Sequence, residues 1–308
     1  MINRVLIRIK VVQMVYAYYQ SDTKDLAKAE KDFFHSIEKA CDLYHYLLQL
    51  ILALTDFAFQ RIEAGRNKYI PTEEEKNPNC RFIENAFVGQ LAQNNSLKSY
   101  LNNTKMSWIN YQPFLKSTYE AIISSNFYIE YMNAPEFNYQ TDQELWRKIF
   151  KLILQRNEEL TEVLEEQSIY WNDDLDTIIT FVMKTIKRFK PEAGADQELL
   201  PMFKDEADRK FASDLFCTAI RKRGNYRTLI DEAAKNWDIE RLAFMDLIIL
   251  QVALAEILDI EGIPVNVSLN EYIDIAKSYS TQKSGMFING TLDHIVTELR
   301  KENKLFKA

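Results

Sequence analysis

Across 308 residues the chain has only seven glycines and seven prolines. Average usage would be roughly 7% and 5% respectively. Tight hairpins need residues that accept positive φ, and dinucleotide-binding turns need clustered glycines. A barrel, a sandwich or a dinucleotide fold is therefore excluded, and the chain reads as all-α. With 47% apolar and 27% charged positions it has ample material for a core, spread over one or two domains. The formal charge of −7 argues against a protein that coats nucleic acid through its own field. A local basic patch is still compatible with that charge.

Cys41, Cys80 and Cys217 are widely spaced and form no CxxC pair, which fits a reducing compartment. The opening MINRVLIRIK has no h-region of a secretory signal, and the apolar run Leu43 to Phe59 is broken by His45, Gln49 and Asp56. The expectation is a cytoplasmic protein with no membrane span.

Four stretches punctuate the text: Gly65 to Arg81, Asn133 to Gln140, Lys190 to Pro201 and Gly262 to Val267. Thr141 with Glu144 and Ser268 with Glu271 have the form of capping boxes. Thr72 with Glu75 has it too, but no apolar periodicity follows, so it is discounted. Asn3 to Gln20 is a helix with two apolar strips, one through Val5, Ile9, Val12, Tyr16 and Tyr19, the other through Ile7, Val11, Met14 and Tyr18. Leu242 to Leu258 is apolar almost all round and reads as the core helix of its domain.

Chemistry-bearing patterns are scarce. His35, His45 and His294 have no metal-ligand spacing, and there is no nucleophile elbow, Walker loop or GxGxxG. No catalytic residue, metal or cofactor is expected. Arg4, Arg8 and Lys10 precede the first acidic residue, Asp22, and arginine forks suit phosphate oxygens. The run Arg221 to Arg227 reads as a helix end with Gly224 in a left-handed turn. Gly290, inside a helical pattern, costs roughly 1 kcal/mol against alanine and suggests close backbone approach. Phe287 is either core or a platform for a stacked base.

The segment Asp246-Leu247-Ile248-Ile249-Leu250-Gln251-Val252-Ala253-Leu254-Ala255-Glu256-Ile257, then Pro264, then Val267-Ser268-Leu269-Asn270-Glu271 and Ala276-Lys277, resembles the transcription antitermination factor NusB family. Ser284 and Phe287-Ile288-Asn289-Gly290-Thr291-Leu292-Asp293 close the match, and Arg4, Arg8, Val12-Gln13, Tyr16 and Ser21 fit the opening helix. The resemblance implies a NusB-like helical bundle without catalysis. It implies binding of single-stranded boxA RNA from ribosomal operon transcripts, together with the small-subunit ribosomal protein NusE, within an antitermination complex on RNA polymerase. By position, Arg4, Arg8, Lys10 and Phe287 would contact RNA, and Glu240 and Asp246 would meet the ribosomal protein. Departures are Val5, Leu6 and Ile9 where the family is often polar or basic, Gln251 for an arginine, and Lys283 for an acidic residue. The apolar excess of the first helix also allows a homodimer in the free state.

The resulting division is residues 1–21 as the first NusB-like helix, 22–208 as an inserted helical region, and 209–308 as the remainder. The competing reading is a helical interaction scaffold that kept the fold and lost RNA binding. An RNA cytosine methyltransferase is excluded, since the chain lacks the cofactor-binding α/β domain that such an enzyme needs.

Overall fold

The computed structural model describes residues 3–234, 243–281, 283–305 and 307. Among them are fifteen α-helices and no β-strand. The chain divides into two compact units, one of Glu38–Pro201 and one of Ile2–Ile37 with Met202–Ala308. The divisions expected from sequence lie at 22 and 208. The difference arises in α2 (Leu26–Arg66), a single helix whose first turns belong with the second unit.

That second unit holds α1 (Arg4–Gln20), α11 (Glu206–Arg221), α12 (Arg223–Ala233), α13 (Phe244–Asp259), α14 (Val265–Tyr279) and α15 (Ser284–Lys301). The apolar circumference of α13 is explained by its neighbours, because α1, α11, α12, α14 and α15 all pack against it. In α1 the residues turned to the core are Leu6, Ile7, Val11, Val12 and Val15, while Val5 is exposed. The start of α2 contributes Phe33, whose ring stacks on Phe216 of α11 at 4.8 Å. Two lysines finish helices by donating to terminal carbonyls, the favoured place for a cation. Lys24 Nζ reaches Tyr18 and Tyr19 at the end of α1, and Lys307 Nζ reaches Glu256 and Ile260 at the end of α13.

The first unit holds the rest of α2 and α3 (Glu73–Lys76), α4 (Ala86–Gln93), α5 (Asn95–Asn103), α6 (Gln112–Ile123), α7 (Asn126–Asn133), α8 (Tyr139–Leu152), α9 (Glu158–Gln167) and α10 (Leu175–Arg188). Its core is aromatic. Tyr46 stacks on Trp108 at 4.1 Å, and Phe82 contacts Tyr119, Tyr128 and Trp146. The Trp108 and Trp171 indole N–H groups are met by the carbonyls of Tyr46 and Lys39. Amide side chains serve the irregular Lys190–Gln197 stretch: Gln90 donates to Lys190 and Gly194, Asn94 to Ala195 and Gln197. Gly194 adopts φ +52° there, a region that favours glycine.

Several local expectations change. The helix expected to begin with Thr141 and Glu144 is capped by Asn138, reciprocally with Thr141. The discounted Thr72 and Glu75 form a true capping box, on a helix of only four residues. Gly224 lies inside α12 rather than in a left-handed turn, because α12 begins one residue after the Lys222 cap of α11. The segment 107–133 forms two helices, α6 from Gln112 and α7 from Asn126.

Candidate functional site

The cations that mark α1 in the sequence are mostly turned inward. Arg8 is 3% exposed, and its Nε and Nη2 donate to the two carboxylate oxygens of Glu256, both at 2.8 Å. Glu256 is fully buried in the last turn of α13. Its carboxylate also accepts from Ser268 Oγ at 2.6 Å and Tyr272 Oη at 3.0 Å, both on α14. Glu271 lies 3.6 Å from Arg8 Nη1, and the Phe211 ring of α11 covers the guanidinium at 5.6 Å.

Desolvating an ion costs several kcal/mol, and a buried pair is tolerable only with bidentate geometry and every lone pair answered. Both conditions hold here. Burial alone would lower the Arg8 pKa, but hydrogen bonds and charge from Glu256 outweigh it and hold the pKa above its ordinary value. Burial, followed by the Glu256 charge, pushes Tyr272 well above the usual phenol range. The network is a fastener joining α1, α13 and α14.

Arg4 differs. Its side chain is 42% exposed, with Nε donating to Asp208 at 2.9 Å and the guanidinium 5.1 Å from the same Phe211 ring. Lys10 is buried. Phe287 is buried too, so it packs as core in this structure. Asp246, in the first turn of α13, is buried and accepts from Ser284 Oγ at 2.9 Å. Its other carboxylate oxygen is enclosed without a hydrogen-bond donor. Glu240 lies outside the described residues. The fold thus gathers Arg4 and Arg8 at Phe211, and ties Asp246 to the start of α15.

Ser268 is not a helix cap, since α14 begins at Val265 and the hydroxyl serves Glu256. Gly290 is exposed, and among the described residues a Cβ built there would meet nothing within 4 Å, so none of the described backbone approaches it closely. With Met286, Asn289 and Asp293 it forms an exposed face of α15, at the 3–1–3 spacing of one helix side. Sequence reasoning missed Glu256, Tyr272 and Ser268 as a network. The available signal was the single carboxylate inside the apolar run 247–258 of α13, packed against an apolar helix whose first turns carry two arginines.

The sequence profile of the NusB family matches residues 183–297. The transcription antitermination protein NusB of Salinibacter ruber is 37% identical over 133 residues, covering 41% of this chain and 83% of that protein. That of Geobacter sulfurreducens is 42% identical over 113 residues, covering 35% and 82%. The chain belongs to the NusB family. A solved T. maritima NusB is 27% identical, covering 45% of this chain and 85% of that one, with a TM-score of 0.30. NusB proteins are non-enzymatic transcription antitermination factors. More than half of this chain lies outside the match to either NusB relative. Among the described residues no helix is long and apolar enough to cross a membrane.

Proposed function

We propose that this chain is a cytoplasmic transcription antitermination factor. It binds single-stranded boxA-type RNA of ribosomal operon transcripts together with the ribosomal protein NusE, within the antitermination complex on RNA polymerase. The observation that carries this reading is that the family match runs from the end of α10 into α15, and that its helices α11 to α15 pack with α1 as one unit fastened by Arg8 and Glu256. Arg4 is the member of the α1 trio whose guanidinium reaches solvent, so RNA phosphate would exchange against Asp208 there. Arg8 supports that surface by fixing α1, with Lys10 on the same helix and Phe287 beneath the α15 face. NusE, a basic protein, would meet Glu240 and the start of α13, where the buried Asp246 holds α15 through Ser284.

The experiment is a gel-shift titration with boxA-type RNA, run alone and then with NusE. The expected result is weak binding that becomes tight and sequence-dependent with the partner. Two or three phosphate contacts would give a slope of log K against log salt of about −1.5 to −2. Arg4→Glu weakens binding about fivefold at unchanged helicity, whereas a variant at Arg8 would disturb the fold and decide nothing about RNA. If the two proteins neither join nor shift the RNA, the proposal fails. The scaffold reading then stands, favoured by the chain's whole charge of −7 lying in Glu38–Pro201.

A further inference from the structure

A salt slope set by two or three phosphate contacts needs as many accessible cations, yet of the α1 trio only Arg4 reaches solvent. Arg8 and Lys10 are 3% and 2% exposed. The basic run Arg221 to Arg227 supplies a further cation that the proposed function leaves unused. Three of the four cations in that run have a structural account. Arg221 lies in the last turn of α11, where a cation suits the helix dipole. Lys222 pairs with Asp259, and Arg227 with Asp231 at 2.7 Å. Arg223 has neither role. It is the first residue of α12, the end at which the dipole disfavours a cation. The residue is exposed, and it has no carboxylate partner among the described residues. Its guanidinium lies instead over the Tyr19 ring, 4.2 Å from the centroid. Tyr19 is itself fixed: its hydroxyl accepts from Gln251 Nε2 at 2.9 Å, and the same amide donates to the Ala219 carbonyl at 2.7 Å.

The same arrangement stands at the other end of α1. Helices α1 and α11 pack side by side and run in one direction, since Arg4 meets Asp208 and Phe211 at their starts and Tyr19 meets Arg223 just past the end of α11. At each end an arginine lies on an aromatic ring that the neighbouring segment provides. Arg4 and Tyr19 are about 22 Å apart along the α1 axis and within about 60° of each other around it. We propose that Arg223, held on Tyr19, is a second contact for the phosphate backbone of the single-stranded RNA that Arg4 binds. This rests on the RNA reading of α1. A guanidinium laid on a ring keeps its N–H edge free for phosphate oxygens, and its fork is already ordered before they arrive. A stacked strand rises about 3.4 Å per nucleotide, so about seven nucleotides separate the two anchors.

The test titrates the full chain with NusE against a labelled boxA-type RNA of about twelve nucleotides, long enough to pass both anchors, by fluorescence anisotropy over a salt series. Arg223→Ala is expected to weaken binding about fivefold and to make the slope of log K against log salt shallower by about 0.7. Arg223→Lys should restore the slope, and Arg227→Gln, in the same run but ion-paired, should change neither quantity. Thermal unfolding and capture of NusE without RNA should match the unaltered chain in all three variants. If Arg4→Glu weakens binding and Arg223→Ala does not, the second contact is overturned and the RNA reading stands. Equal losses from Arg223→Ala and Arg227→Gln would overturn it as diffuse attraction to a basic run. Reduced NusE capture by Arg223→Ala would overturn it in favour of a protein contact. Absence of RNA binding by the unaltered pair would overturn both the contact and the reading beneath it.

Discussion

The two units solve the problem of a stable interior in opposite ways. The unit of Glu38–Pro201 puts its charge outside, holds the whole of the chain's −7, and fills its centre with Tyr46, Trp108, Phe82 and Trp146. The other is neutral, with 21 residues of each sign, and places an arginine and a glutamate at its centre. An acidic exterior repels a polyanion, so under the proposed RNA reading the neutral unit, which holds most of the family match, is the one to test. Among the described residues eight of the eleven exposed large apolar side chains belong to the acidic unit, from Phe59 and Tyr69 to Ile169.

The contrast can be broken most strongly at Glu256. Glu256→Leu leaves Arg8 charged and enclosed, and should cost about 3–5 kcal/mol in urea unfolding. The double variant with Arg8→Met should recover most of that loss. A small loss from the single variant would mean water reaches the pair. In the aromatic centre the matching change is Trp108→Phe, which keeps a ring but loses the indole N–H bond to the Tyr46 carbonyl and part of the ring's packing; about 2 kcal/mol is expected by the same measurement. Ser284→Ala should cost about 1 kcal/mol, by freeing a second oxygen of Asp246.

Gly290→Ala should raise stability by up to about 1 kcal/mol, since α15 gains a better helix former and nothing obstructs the methyl group. If the same variant weakens RNA or NusE binding, the glycine is kept for an external surface. The smallest effect concerns pH. Burial lowers the His45 pKa below its ordinary 6.5, against a Cys41 carbonyl that accepts from Nδ1. The unfolded chain therefore takes up the proton first, and stability from this group is complete above pH 6.5 and falls as pH drops below it. His45→Asn should flatten that acid slope in unfolding measurements. An unchanged slope would assign it to other groups.

The helical class was legible from the scarcity of glycine and proline, and the core helix from its unbroken apolar run. The site was less so, for an identifiable reason. Composition reads Arg8 as a surface cation because a sequence does not state which side of an apolar helix is covered. The answer depends on Glu256, 248 positions away. Capping boxes failed similarly. The S/T-x-x-E pattern is satisfied in sequence by Ser268, yet that hydroxyl has a stronger claimant in a buried carboxylate. Thr72, judged by its surroundings, was discounted and is a real cap. Gly290 shows that a glycine in a helix identifies a vacancy without saying whether the chain or something else fills it.

The continuity of α2 bears on how the added portion could be removed or transplanted. Its hydrogen-bond ladder runs from Leu26 to Arg66 with no break at Ile37, so the acidic unit has no loop at its entry. A deletion at the loop after α1 would discard Phe33 and leave Phe216 without the ring it stacks on. A faithful excision keeps the chain through Ile37 and resumes at Met202, and it must supply a new cap where a helix has been cut through. The acidic unit is entered through a helix whose first turns are part of the other unit.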